Sequence, residues 1–292
     1  MFQKILCPID FSPGSQEAMT QAVQLATEAD GGIVLTYVWY IRPVMVPGES
    51  PFTADTIEVM RADNERALTT AVTSAAQLGA RHVTSRFLTG VPWESIVNLV
   101  RDDPSFDLIS VGTHGRTGLA RILLGSVAQK VLRHAPCSVL VARARTGVAA
   151  PTRILCAIDF SEHARAVVAR AAELAAARAA ELTLMHVVEA PMTFSGDPPV
   201  AVFMQDLDRR SAHLLEEWAA ELRTRTSLPI TALLRLGSPG AQILRAVDDD
   251  PRVDLVVMGS HGRTGLARIA LGSVAEKVTR HVPCSVLVVR GS

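Results

Sequence analysis

The chain has 292 residues, 48% of them hydrophobic and 20% charged, and its 29 basic and 29 acidic side chains give a formal net charge of zero. That balance, with no basic run, argues against nucleic acid as the main partner, and no apolar run approaches the roughly 18 residues a membrane helix needs. Its four cysteines include no CxxC and sit beside no His or Cys cluster at ligand spacing, so neither a disulfide framework nor a zinc site is expected.

In chain order, Phe2 to Ile9 is a short apolar strand ending in Asp10, and Gly14 to Ala29 has apolar residues at helical spacing. The N-terminus enters that strand without the features of a secretory signal, which points to the cytoplasm. Gly32 to Tyr40 reads as a second strand, and the proline-rich stretch Arg42 to Phe52 as an irregular excursion. Ala54 to Leu78 returns to a helix, His82 to Leu88 alternates as a third strand, and Pro92 to Val100 is a helix with proline in its first turn. Phe106 to Val111 is a fourth strand, Ser126 to His134 a helix and Ser138 to Ala142 a fifth strand.

The series then repeats. Residues 112–143 and 259–290 are the same 32-residue passage with six differences, and Ile5 to Ser12 returns as Ile154 to Ser161 with Pro8 replaced by Ala157. Strands recur near Arg153 to Ile158, Leu182 to Val188, Ile230 to Arg235, Asp254 to Met258 and Ser285 to Val289. A period near half the chain is too long for a solenoid unit and suits two domains, 1–145 and 146–292, joined by a small-residue linker near Arg145 to Pro151. Strands alternating with helices imply α/β architecture, with a mostly parallel sheet covered on both faces.

Ligands of such sheets bind beyond the carboxyl ends of the strands, where strand order reverses. That places Asp10 and Gly112, and their counterparts Asp159 and Gly259, at candidate sites. Gly112 and Gly115, like Gly259 and Gly262, permit close backbone approach that a Cβ would forbid. After a nine-residue spacer Gly125-Ser126 and Gly272-Ser273 open helices, whose free N–H groups favour phosphate. Val127 and Val274 follow and offer further amides. Ser126 and Ser273 either contact the same anion or cap the helix, and the aspartates either meet the ligand or cap the helix that follows them.

The pattern Gly-x2-Gly-x9-Gly-Ser, twice present and each time preceded by a first strand ending in Asp, resembles the ATP-binding signature of the universal stress protein family. The resemblance spans both halves. It implies tandem doubly wound domains, each a five-stranded parallel sheet of order 3-2-1-4-5 flanked by helices, like the adenine nucleotide alpha hydrolases. It implies ATP as ligand, with magnesium where the triphosphate brings it. Asp10 and Asp159 would lie against the adenosine end, and Val38 and Val187 match the second-strand position whose backbone meets adenine. The fifth strands would pair the two halves as an internal pseudo-dimer, with association of whole chains left open.

Arg116, Arg121, Arg263 and Arg268 are candidates for phosphate, against a solvated loop face as the alternative. His114 and His261 lack the identifiable partners that acid or base catalysis requires. GxxxxGK[ST], a kinase set and an early GxGxxG are all absent from the sequence. Three functions fit: an ATP-binding stress-response regulator or sensor, a slow ATPase or other nucleotide-processing enzyme, and an interaction module with degenerate sites. The loops Pro43 to Pro51 and Pro191 to Pro199 would be lids, partner surfaces or plain connections.

Overall fold

Strand β1 (Lys4–Pro8) buries Ile5, Leu6 and Cys7 completely, as a parallel strand with helices on both faces must. The computed structural model describes residues 1–40, 53–113, 124–144, 153–189, 198–261 and 271–290, the side chains of 198–205 excepted. It divides into two units, Met1–Arg143 and Ala144–Ser292. In the first, β1 is followed by α1 (Pro13–Ala29), β2 (Gly32–Trp39), α2 (Ala54–Gln77), β3 (His82–Thr89), α3 (Pro92–Asp102), β4 (Leu108–Gly112), α4 (Ser126–His134) and β5 (Ser138–Ala142). Within this unit the strand order is β3-β2-β1-β4-β5, and every adjacent pair is parallel. Strand order therefore reverses between β1 and β4, as the α/β pattern requires.

The second unit repeats the plan with β6 (Arg153–Ile158), α5 (Ala164–Arg178), β7 (Glu181–Val188), α6 (Pro198–Arg225), β8 (Ile230–Leu236), α7 (Pro239–Asp249), β9 (Val253–Gly259), α8 (Ser273–His281) and β10 (Ser285–Val289). Its order is β8-β7-β6-β9-β10, again parallel throughout. The expected order 3-2-1-4-5 thus holds in each half. No helix among the described residues is long and apolar enough to cross a membrane.

Local chemistry explains where elements start and stop. Ser12 caps α1 by accepting from the Ser15 amide, and Pro13 occupies a first-turn position where its missing N–H costs nothing. Alanines 18, 22 and 26 lie on the buried face of α1, and their small side chains let it approach the sheet closely enough for buried Ser110 of β4 to donate to the Ala18 carbonyl at 2.9 Å. The fourth strand begins two residues later than its apolar run suggests. Phe106 is buried, but its amide closes a turn onto the Asp103 carbonyl before the ladder starts.

Residues 43–51 lie outside those described. Pro198 and Pro199, expected in a loop, open α6 instead, in keeping with proline's tolerance at a helix start; residues 190–197 before them are outside the described set.

The amino ends of the strands are held by ion pairs. Lys4 bonds Asp103 at 2.7 Å. In the second unit Arg153 reaches both Asp250 and Glu181, and Arg252 adds a second contact to Asp250 at 3.1 Å. Desolvation would raise the Asp250 pKa, but hydrogen bonds from Arg252 and the charges of Arg153 and Arg252 outweigh it and hold the carboxyl below its ordinary range.

Candidate functional site

Asp10 stands where β1 has ended and α1 has not begun. Its Oδ1 accepts from the Ser12 amide at 3.1 Å and from the Ser12 hydroxyl at 2.5 Å, while its own amide donates to Ser15 Oγ at 3.3 Å. The cap of α1 is Ser12, so the alternative of Asp10 as the helix cap does not hold; the carboxylate shapes the bend before the helix. Between them Phe11 sits at φ 64, a left-handed conformation that costs a non-glycine residue about 1–2 kcal/mol. Its ring stacks on Tyr37 at 5.1 Å and 20°, and Tyr37 meets Phe87 in turn at 5.5 Å.

The second unit builds the same bend with different neighbours. Asp159 Oδ1 accepts from the Ser161 amide at 3.0 Å and Phe160 lies at φ 59. The Phe160 ring contacts His186 at 4.4 Å and Trp218 edge-on at 5.3 Å. Here α5 begins only at Ala164, and its cap residue His163 contributes no side-chain bond, so Asp159 does not cap a helix either.

Val38 lies at the open side of this bend. In a parallel ladder a residue's N–H and C=O face one neighbour and successive residues alternate. The Thr36 carbonyl accepts from the Ile9 amide at 2.8 Å, so Val38, two residues on, turns its main chain the same way, where the chain has left β1 for the Asp10 bend. Val187 holds the corresponding place on β7, one residue past the last β6–β7 pair, Ile158 with His186.

Gly112 ends β4, and a Cβ there would stand 2.4 Å from the carbonyl carbon and oxygen of Gly14. The close approach expected of this glycine is thus made to the first turn of α1. Gly259 is less constrained, since its Cβ would find His261 O at 3.3 Å and Val167 at 3.6 Å. Beyond each strand, the Gly125 amide donates to Thr113 O at 2.7 Å and the Gly272 amide to Ser260 O at 2.8 Å.

Those bonds pin two short helices. Gly125 and Gly272 are their cap residues, at φ −60 and −65, and among the described residues neither helix receives a side-chain cap. Ser126 and Ser273 are first helical residues, which removes the capping role considered for them. The first backbone bonds back to the caps come from Gln129 and Glu276, both at 2.9 Å. The amides of Ser126, Val127 and Ala128, and of Ser273, Val274 and Ala275, therefore precede the helical ladder and are directed out of the helix start. Such an end presents partial positive charge and suits an anion.

Gly115, Arg116, Arg121, Gly262, Arg263, Arg268 and His114 lie outside the described residues. His261 is within them, its Nδ1 at 2.9 Å from Ser260 Oγ. The Phe11–Tyr37 and Phe160–His186 contacts were not anticipated. The duplicated Ile-Asp-Phe-Ser carried a signal for them, because it repeats the phenylalanine together with the aspartate. Among the described residues no three His, Cys, Asp or Glu side chains gather as a metal site.

Comparison with known proteins agrees with the duplication. The family model described as "Universal stress protein family" matches residues 1–143 and again 151–290. A universal stress protein of Methanocaldococcus jannaschii is 36% identical over 144 residues, covering 49% of this chain and 83% of its own. One of Mycolicibacterium smegmatis is 29% identical over 293 residues, spanning 98% of this chain and 96% of its own. The crystal structure of a universal stress protein from Archaeoglobus fulgidus superposes with a TM-score of 0.71 at 22% identity, over 98% of both chains, a likeness of fold. With its family model matched in both halves, the chain belongs to the universal stress protein family.

Proposed function

We propose that each unit binds an adenine nucleotide, ATP, and that the chain acts as a nucleotide-dependent regulator or sensor in the stress response. The observation that carries this reading is the pair of helices α4 and α8, each with a glycine cap whose amide is tied back to the residue just past the preceding strand. Three outward amides at each start would take the phosphates. The carboxylates of Asp10 and Asp159 would accept from ribose hydroxyls or the adenine amine, and the main chain at Val38 and Val187 would meet the base. Gly115, Arg116, Gly262 and Arg263 would complete the phosphate end, with magnesium arriving on the triphosphate. On this reading the site holds a nucleotide rather than cleaving it, since the sequence carries neither GxxxxGK[ST] nor a kinase set.

Isothermal titration with ATP and magnesium tests this. Two sites are expected in the native chain, one in Gly125→Val, one in Gly272→Val and none in the double variant. The cap residues sit at φ values that any L residue adopts, so the folds should survive. A double variant that binds ATP normally would refute the assignment. Product analysis after long incubation addresses the enzyme alternative, which unchanged ATP would sink.

A further inference from the structure

We infer that Phe11 and Phe160 are positioning residues for the nucleotide, their rings holding the backbone in the left-handed conformation that sets the carboxylates of Asp10 and Asp159; this rests on reading each unit as an adenine-nucleotide site. In both bends the carboxylate accepts from the amide two residues on, Asp10 from Ser12 at 3.1 Å and Asp159 from Ser161 at 3.0 Å. Each bond closes a ring of atoms that passes through the φ and ψ of the phenylalanine between. The φ values of 64 and 59 are therefore part of what fixes each carboxylate. Glycine adopts such a conformation freely, whereas a Cβ makes it costly.

Ring contacts offset that cost, and the two units build them differently. Cys7 pairs with Leu35 and Cys156 with Leu184, so two residues on Tyr37 and His186 hold the same place beside the bend. In the first unit Phe11 stacks on Tyr37 of β2, Tyr37 meets Phe87 of β3, and Arg61 of α2 lies over Phe87 at 5.7 Å. In the second unit Leu234 of β8 stands opposite His186, where the first unit has Phe87 opposite Tyr37. Trp218 of α6 supplies the further ring instead, so that Phe160 contacts His186 at 4.4 Å and Trp218 at 5.3 Å, with Arg165 of α5 lying 3.9 Å from the Trp218 ring. Aromatic residues are only 4% of the chain, so a ring partner at both bends, reached from different elements, is not what generic packing supplies. Stacked and edge-to-face pairs contribute beyond the area they bury, on the scale of the left-handed penalty.

Without its ring the bend relaxes toward negative φ, the bond from aspartate to the serine amide opens, and the acceptor offered to the nucleoside is displaced. Alanine removes the ring contacts and keeps the left-handed penalty, while glycine removes both. The two substitutions lose nearly the same packing but differ in how readily the bend forms.

The test titrates ATP with magnesium into full-length Gly125→Val, which retains the second site, carrying Phe160→Ala or Phe160→Gly. The first site is read in Gly272→Val carrying Phe11→Ala or Phe11→Gly. Affinity falls with the population of the competent bend, so alanine should weaken binding about tenfold and glycine about twofold. Equal losses with alanine and glycine, or native affinity with alanine, would overturn the inference and leave the nucleotide reading standing. Where alanine unfolds a unit, leucine, which keeps bulk without the aromatic stack, takes its place, and glycine binding as weakly as leucine would overturn the inference. Absence of ATP binding in both parent variants would overturn the nucleotide reading itself. Amide exchange of Ser12 and Ser161 in the ligand-free protein follows the bend independently of ATP. It should quicken about tenfold with alanine and about twofold with glycine, and equal protection in native, alanine and glycine forms would overturn the positioning role.

Discussion

Gly112 and Gly14 touch backbone to backbone, so closely that a Cβ on Gly112 would stand 2.4 Å from the Gly14 carbonyl oxygen. Neither flanking segment can yield easily: one is the end of β4, and the other is the first turn of α1, fixed by its Ser12 cap. In the second unit His163 takes the place of Gly14, α5 starts at Ala164, and the crowding is gone.

Gly112→Ala should therefore destabilise the first unit by about 3 kcal/mol through overpacking, whereas Gly259→Ala should cost under about 1 kcal/mol. Calorimetric melts of the two variants check this. Equal shifts would show that the asymmetry has no energetic weight.

Asp10→Asn keeps a carbonyl oxygen to accept from Ser12 but removes the charge, while Asp10→Ala removes both. Stability should fall by about 1–2 kcal/mol only in the alanine variant. Nucleotide affinity should fall in both. Urea melts paired with ATP titrations separate the two roles, and an asparagine variant with native affinity would show that the carboxylate serves only the bend.

Lys4 donates to Asp103 at 2.7 Å, and with the Ser105 hydroxyl it holds that carboxyl down at about 2, below the usual range. A carboxyl lowered in the folded state stabilises above its unfolded pKa near 4, and that contribution is lost as pH falls from about 4 toward 2. Carboxyl NMR should show the Asp103 midpoint rising toward the ordinary value in Lys4→Ala. An unchanged midpoint would rule out the lysine as cause.

Burial pushes the Cys7 thiol up to about 12 and raises Cys156 as well. Thiolate is the reactive form, so neither should alkylate in the native protein at pH 8, while half-buried Cys137 should react first. Peptide mass spectrometry after timed iodoacetamide treatment reads the order, and early labelling of Cys7 or Cys156 would contradict the packing.

Element types were largely legible because they rest on local periodicity. Val, Ile and Leu runs became strands, and Pro92 marked the start of α3. Misplaced boundaries came from apolar residues buried outside the ladder, as with Phe106. At the site, Gly125-Ser126 announced a helix start, but only φ and ψ showed that glycine caps it and that serine lies within it.

The sequence by itself determined the duplication, the alternation of strands and helices, and the spacing that brings an aspartate and a Gly-Ser helix start to the same end of each sheet. These follow from chain order and side-chain period. Tertiary structure decided that Gly112 yields to α1, that Ser12 takes the cap considered for Asp10, and that Tyr37 and His186 hold one position with different chemistry. Each depends on contact between segments distant in the chain, and close packing alone selects which atoms meet there.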